Sequence, residues 1–214
     1  MVIAGAGIVG AAIADALSSA GVSVTIVERA QVGGGATAAG MGHVVVMDDS
    51  EAQFALTKYS RDLWQDLVAE MPAQVEYDPA GTLWVAADGE ELQACHQKQR
   101  YYADRDVVTE LLDERQLHEA EPNLVVGLAG GLRVPGDSVI YAPCAAKWLL
   151  DRAIRRGAKV VTGVVQEFEL GGVRLSDQRL SCDVAICALG TASTQFFPQL
   201  AVKPRKWHLV ITDG

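Results

Sequence analysis

Three glycines between an apolar run and a helical pattern constrain the fold of this chain more than any other feature. Gly5, Gly7 and Gly10 follow an apolar stretch at the N-terminus, and a second apolar run over residues 22–28 ends in a carboxylate, Glu28. Glycines so placed allow a tight turn, close approach of the backbone to a pyrophosphate, and close packing of helix on strand. The pattern predicts a βαβ unit that binds a dinucleotide, with the phosphates at the helix N-terminus and a ribose at Glu28. The alternative is a βαβ unit that binds no nucleotide.

The segment after Glu28 indicates which dinucleotide is bound. Residues 29–42 form a long stretch of small residues where an NAD-binding domain would normally continue into its next helix. Such a loop lets the backbone lie very close to a large flat ligand. A flexible linker is the alternative for this composition, and an NAD-linked dehydrogenase would leave residues 33–42 without a purpose.

The strand ending in Glu28-Arg29, with the loop that ends in Ala39-Gly40-Met41, resembles the amino-acid oxidase superfamily of FAD-dependent oxidoreductases. The resemblance implies FAD rather than NAD. The residues that it places at the cofactor are Gly5, Gly7, Ile8, Val9, Gly10, Glu28, Arg29, Gly35, Ala36, Thr37, Ala39, Gly40, Met41, Gly42, Val165, Ala188, Gly190 and Thr191.

Two further details come from the same resemblance. The run 182–190 ends in Ala188-Leu-Gly190 and is similar to a second flavin-contacting strand of the superfamily, and Val164 or Val165 would place its backbone beside the adenine ring. Some relatives attach the flavin covalently through a histidine just before Ala-Ala-Gly. Here that residue is Thr37, so we expect non-covalent FAD.

Within the superfamily, the runs 38–49, 121–124, 136–141 and 143–146 look most like bacterial D-hydroxyproline dehydrogenase and related D-amino-acid dehydrogenases, with glycine and sarcosine oxidases as near relatives. The implied reaction moves a hydride from a carbon that bears an amine to the flavin N5. The resulting imine is hydrolysed or remains as a cyclic pyrroline.

Few acid–base residues are needed for such a reaction, and the sequence contains no evident catalytic dyad. Met41 and His43 follow the flavin loop and are the catalytic candidates; His43 would assist amine deprotonation or contact the flavin pyrimidine. The alternative is a structural histidine at the start of a strand. Tyr77, Trp84 and Arg133 are weaker candidates for lining the substrate cavity. The alternatives are that the two aromatic residues belong to the core of a sheet and that Arg133 is a surface cation.

The fold class predicted is α/β: a Rossmann-like FAD-binding domain of GR2 type, interleaved with an α+β substrate domain of mostly antiparallel strands. The FAD-binding domain would comprise residues 1–72 and 139–198, the substrate domain would begin with 73–138, and 199–214 would start the return to it. Hydrophobic periodicity predicts further elements. They are helices at 8–20, 51–70 with Ser50 as N-cap, 89–105, 113–120 and 143–156, strands at 44–47, 159–170, 172–176 and 180–188, and a hairpin over 75–86 that turns at 78–81.

Composition excludes several functional classes. The chain is 50% hydrophobic with a net charge of −9, which supports a large core and disfavours nucleic acid as a partner. It contains no basic run, and the sequence predicts neither a transmembrane segment nor a secretory signal. We therefore expect a cytoplasmic protein, with a peripheral position at the inner membrane as the alternative. The expected partners are a small amino-acid substrate and, as a further option, partner subunits or an electron-acceptor protein.

The four cysteines and four histidines predict neither a metal site nor a disulfide. No Cys-x-x-Cys pair occurs, and the histidines are scattered. Cys182 and Cys187 are predicted to lie on one strand and to face opposite sides, which excludes a bond between them.

The resemblance covers nearly all of the chain but only about the first half of a family member. In the segment 198–212, Trp207 stands where the family has a glycine, which puts the local backbone path in doubt. An alternative to a self-sufficient enzyme is therefore a flavin-binding subunit or truncated fragment, active only with partner chains.

Overall fold

The computed structural model describes residues 1–203. Internal packing divides the chain into two compact units. Of the described residues, the first unit consists of Met1–Gly42, Met71–Glu76 and residues 140–203, and the second of His43–Glu70 and Tyr77–Val139. This division differs from the expected domain boundaries mainly over residues 43–70, which pack in the second unit.

The described chain contains both helices and strands throughout its length. The helices are α1 (Ile8–Ser19), α2 (Ala36–Ala39), α3 (Glu51–Leu67), α4 (Gly89–Ala103), α5 (Glu114–Ala120) and α6 (Ala142–Arg155). Short 3-10 helices cover Val68–Glu70, Ala73–Val75 and Gly190–Gln195. The strands are β1 (Val2–Ala4), β2 (Thr25–Glu28), β3 (His43–Val44), β4 (Thr82–Ala86), β5 (Glu110–Leu112), β6 (Gly130–Val134), β7 (Ser138–Val139), β8 (Lys159–Thr162), β9 (Val165–Glu169), β10 (Gly172–Leu175), β11 (Arg179–Ser181) and β12 (Ala185–Cys187).

A four-stranded parallel sheet in the order β12-β1-β2-β8 forms the centre of the first unit. All three residues of β1 are buried, as expected for a central strand covered on both faces. Helix α1 provides the crossover from β1 to β2 and packs on α6, where Asp15 pairs with Arg152 and Arg156. An antiparallel sheet, β11-β10-β9, adds Val173 and Leu175 to the same core.

Antiparallel pairing dominates the second unit. Its main sheet has the order β4-β6-β5, and β3 pairs with β7. Helix α4 packs on β4 and β6. Leu132 and Tyr102 belong to two buried clusters, and neither side chain is accessible to solvent. The predicted α/β class, with a parallel sheet and otherwise antiparallel strands, is confirmed.

The predicted helices are confirmed with small shifts at their ends, and local capping explains where several begin. The Gln53 amide donates to Ser50 Oγ at 3.2 Å, as expected for an N-cap serine. Asp113 and Gln116 form a reciprocal capping box at the start of α5. The helix expected over 51–70 ends at Leu67 and continues only as a 3-10 turn.

The predicted hairpin over residues 75–86 is wrong. Val75 lies in a 3-10 helix, and β4 pairs with the distant β6 in the register Thr82 to Val134. Strands β5 and β6 were not predicted from the sequence. Strand β6 begins with Gly130 and Gly131, and a pair of glycines is more typical of a loop than of a strand. Tertiary packing decides which strand pairs with the edge of another. Local turn residues do not specify that partner.

Two strands predicted as continuous are each divided in the structure. The run 159–170 leaves the parallel sheet after Thr162 and enters the antiparallel sheet at Val165, and 180–188 changes sheets in the same way between Ser181 and Ala185. Cys182 and Cys187 therefore do not lie on one strand, which corrects that prediction. All four cysteines are free.

The expected return segment falls partly outside the described residues, including Trp207. Within residues 1–203, no helix is long and apolar enough to cross a membrane.

Candidate cofactor-binding site

Two glycines, one in the turn between β1 and α1 and one in the first turn of α1, leave no space for a side chain. Gly5 has φ of +104°, and a Cβ on it would overlap the carbonyl oxygen of Ala188. A Cβ on Gly10 would overlap the carbonyl oxygen of Gly5. These close approaches bring the α1 N-terminus to the carboxyl ends of the parallel strands, where ligands bind in open α/β sheets.

The first turn of α1 is suited to an anion. Gly7 is the N-cap and carries no side chain, and no acidic residue lies in the first turn. The Ile8 amide donates to Thr37 Oγ1 at 3.0 Å, while Val9 is 61% exposed. Unpaired backbone N–H groups and the helix dipole favour negative charge at this end.

Glu28 is held at the end of β2 by two backbone donors. Its Oε2 accepts from the Ala6 amide at 2.8 Å and its Oε1 from the Ala30 amide at 3.0 Å. We call this arrangement the Glu28 clamp. An ionised carboxylate has about four lone-pair sites, so each oxygen can still accept a hydroxyl of a ribose diol. The sequence analysis missed Ala6 and Ala30, since a backbone donor leaves no signature in residue type.

The small-residue loop after β2 is packed at both ends. The Gly33 amide donates to the Ala6 carbonyl at 2.8 Å, and a Cβ on Gly33 would lie 2.9 Å from Pro143 Cα. Gly42 has φ of +74°, and a Cβ there would overlap the Ile140 carbonyl oxygen. Close packing at Gly33 and Gly42 sets the path of the segment between them.

Exposure distinguishes the predicted residues of this loop. Thr37 and Gly42 are half-buried. Arg29, Gly35, Ala36, Ala39, Gly40 and Met41 are exposed. The exposed members can present backbone and small side chains to a ligand.

The second predicted strand end lies against the glycine turn. The Ala188 amide donates to the Ala4 carbonyl at 2.8 Å, and Gly190, with φ of +59°, begins the following 3-10 helix with Thr191. Val165 is only 9% exposed and packs in the core, whereas Val164 is 45% exposed. The contacts described thus join Gly5, Gly10, Ala188, Glu28 and Thr37 around one end of the parallel sheet.

The catalytic candidates lie where the loop enters the second unit. Met41 is 61% exposed, and His43 is exposed at the start of β3, paired with Val139. Trp84 lies beneath Lys98, whose Nζ is 4.1 Å from the ring centroid. Arg133 pairs with Glu110 at 3.6 Å. Trp84 and Arg133 thus have partners within their own unit.

A buried ion pair in the second unit was missed by the sequence analysis. Arg61 of α3 and Asp137, between β6 and β7, are 7% and 2% exposed, with 3.5 Å between Nη1 and Oδ1. Asp137 also accepts from the Val46 amide. Burial raises the pKa of Asp137 although Arg61 and the hydrogen bonds oppose the rise. Among the described residues, no group of three or more His, Cys, Asp or Glu is placed to hold a metal ion.

Several solved structures have a similar fold. The chain is similar to glycine oxidase from Geobacillus kaustophilus, with 23% identity and a TM-score of 0.83 over 92% of this chain and 57% of that one. It is also similar to L-proline dehydrogenase from P. horikoshii, with 23% identity and a TM-score of 0.82 over 95% and 56%. A third is L-alpha-glycerophosphate oxidase from Mycoplasma pneumoniae with FAD bound, with 22% identity and a TM-score of 0.76 over 91% and 54%. The chain thus spans little more than half the length of these proteins.

A protein-family model described as FAD dependent oxidoreductase matches residues 1–214. This match confirms both the resemblance on which the sequence analysis relied and FAD as the cofactor. Together with the glycine turn and the Glu28 clamp, it shows that the chain belongs to the DAO family of FAD dependent oxidoreductases.

Proposed function

We propose that this chain forms the FAD-binding part of a flavoenzyme that oxidises the C–N bond of a small amino acid or cyclic imino acid. D-Hydroxyproline, other D-amino acids, glycine and sarcosine are the candidate substrates. The Glu28 clamp beside the glycine turn is the observation that carries the cofactor half of the proposal.

The chain's own residues would hold the dinucleotide at three places. The first turn of α1, without acidic side chains, receives the pyrophosphate on backbone N–H groups. Glu28 accepts the adenosine ribose hydroxyls in an orientation already set by Ala6 and Ala30. The exposed small residues of α2, together with Gly190 and Thr191, would let a flat ring system approach the backbone.

The bound flavin supplies the hydride acceptor. The protein's part is to orient the donor carbon and exclude water. Met41 and His43 follow the loop directly and are proposed to border the reacting atoms. His43 would take the amine proton, because an unprotonated amine lone pair favours hydride loss; a structural role in β3 is the alternative.

We propose that the flavin is bound non-covalently. Residue 37, where some relatives carry the attaching histidine, is a threonine, whose side chain has no imidazole nitrogen. Its hydroxyl oxygen accepts a hydrogen bond from the Ile8 amide.

The comparisons support an amine substrate without deciding it. Glycine oxidase and L-proline dehydrogenase are named for substrates with an amine next to a carboxylate. Glycerophosphate oxidase, named for an alcohol substrate, has a similar fold. A test of substrate class must therefore include glycerol 3-phosphate.

A visible absorption spectrum of the purified full chain, repeated anaerobically after each candidate substrate, tests the proposal. We expect bound oxidised flavin, bleached by D-hydroxyproline or by D-alanine, glycine or sarcosine, and not by glycerol 3-phosphate. Acid precipitation should release the flavin into the supernatant. Bleaching by glycerol 3-phosphate alone, or failure to take up FAD, would contradict the proposal.

A flavin-binding subunit is the second candidate, favoured by the chain's coverage of little more than half of its structural relatives. For this candidate we expect flavin that no amino acid bleaches in the isolated chain. Bleaching that appears once co-purifying subunits are present would establish it. Rapid peroxide formation by the isolated chain would exclude it.

A further inference from the structure

We propose that Thr37 is a positioning residue for the cofactor: its hydroxyl accepts from the amide of Ile8, the first residue of α1, and so holds α2 against the glycine turn. The inference rests on the proposed function, because holding a cofactor is what the arrangement would serve. It concerns residues of the first unit alone.

Helix α1 begins without a side-chain cap of its own. Its N-cap is Gly7, which has no side-chain oxygen to accept from the first-turn amides. Those amides have no partner within the helix and need acceptors from elsewhere. Thr37 Oγ1, 29 residues further along the chain, accepts from the Ile8 amide at 3.0 Å. The cap therefore comes from the cofactor loop rather than from the residue before the helix.

Helix α2 in turn needs an anchor. It has four residues, and its N-cap, Gly35, provides no side-chain cap. A helix this short is not stable by itself in water. Thr37 is half-buried, while Ala36, Ala38 and Ala39 are exposed. The threonine thus faces the protein and leaves the alanines free for a ligand.

Gly7 of the glycine turn lies close to the side chain of Thr37. A Cβ on Gly7 would lie 3.1 Å from Thr37 Oγ1, closer than ordinary van der Waals contact. A side chain at the N-cap would therefore displace the hydroxyl by a few tenths of an ångström from its position at the Ile8 amide. The hydroxyl satisfies the amide of the first helical residue, whereas a serine or aspartate at the N-cap would accept from the second or third.

The consequence is a loop arranged before the cofactor binds. Ordering a loop on binding costs free energy that lowers affinity, and preorganisation removes that cost. Without the hydroxyl, α2 would have to be ordered by the cofactor itself. We therefore expect weaker binding and faster release of FAD, with an unchanged flavin environment once it is bound.

Thr37→Val tests this, because it removes the hydroxyl at nearly constant volume. Thr37→Ser restores the acceptor. Thr57→Val is the matched control, since Thr57 Oγ1 accepts from the Met47 amide at the same 3.0 Å, in the second unit. FAD affinity and dissociation rate are measured on the full chain by flavin fluorescence. We expect T37V to weaken binding about five- to tenfold, and both T37S and T57V to bind as the parent does.

Hydrogen exchange of the Ile8 amide in the FAD-free protein, followed by NMR, tests the cap without the cofactor. Protection should be present in the parent and in T37S and lost in T37V. Unchanged FAD affinity in T37V, or weak binding by T37S, would overturn the inference. Failure of the parent itself to bind FAD would instead overturn the proposed function and the cofactor role of Thr37. The exchange result would then still show whether the Thr37 hydroxyl binds the Ile8 amide.

Discussion

Glu28 is held by the backbone and is also the residue proposed to bind the cofactor's ribose. Both of its oxygens already accept backbone N–H groups, from Ala6 and Ala30. Glu28→Gln would replace one oxygen with an NH2 group that faces a donor. We expect FAD affinity to fall roughly tenfold, as for a lost hydrogen bond to a charged group. Titration of FAD into the purified variant measures this.

Glu167→Gln is the control for that change. Glu167 lies in the same unit and pairs with Arg174 at 2.6 Å on an exposed surface. Exposed ion pairs contribute little, so FAD affinity should stay at the parent's value. Equal affinities for E28Q and the parent would show that the clamp does not bind the ribose.

Gly10 is required by packing rather than by backbone angle. It lies within α1, and an added Cβ would overlap the Gly5 carbonyl oxygen. We expect Gly10→Ala to destabilise the protein by at least about 2 kcal/mol, the range for overpacking. Urea unfolding provides the measurement. Gly89→Ala, at the start of α4 with open space around its Cβ position, should be neutral or slightly stabilising. Similar losses for both variants would refute the steric argument.

At the scale of elements, Asp137 links α3 to the turn between β6 and β7. It accepts from the Val46 amide and lies 3.5 Å from Arg61. Its pKa is raised above the usual 3.8 because desolvation outweighs the attraction of Arg61 and the hydrogen bonds. Folding therefore favours the neutral form of the Asp137 carboxyl group. Keeping this group charged in the folded protein costs free energy.

The sign of the pH dependence follows from that shift. Between the unfolded and the folded pKa of Asp137, the folded protein binds more protons, so its free energy of unfolding falls as pH rises. Asp137→Asn keeps an acceptor for Val46 but cannot titrate. Relative to the parent, D137N should therefore be least stable near pH 4 and should recover as pH rises through the raised pKa. Urea unfolding from pH 4 to 8 tests this; a pH-independent difference would contradict it.

At the scale of the whole molecule, cofactor binding and folding are coupled. The proposed cofactor site is built from segments at 5–10, 28–42 and 188–191, which the unfolded chain does not hold together. A ligand that binds only the folded state stabilises it by about 2.7 kcal/mol at a hundredfold excess over Kd. We expect FAD, but not NAD, to raise the melting temperature in calorimetry. A larger shift with NAD would restore the NAD-linked interpretation.

Much of this architecture is determined by short-range sequence patterns. Glycines at 5, 7 and 10, an apolar strand on each side and Glu28 specify the βαβ unit, because each acts within one turn of chain. Ser50 and Asp113 mark helix starts for the same reason. Pairings over long distances were not predictable in this way. Thr82 pairs with Val134, and the run from Lys159 to Glu169 changes sheets within a few residues.

The sequence by itself therefore determined the class of fold, the family and the cofactor, since these depend on residue types at fixed spacing. The tertiary structure decided what holds the site together. The Ala6 and Ala30 donors to Glu28 and the Ile8 donor to Thr37 are backbone groups, which every residue except proline carries. Only the path of the folded chain determines which of them meet a carboxylate or a hydroxyl.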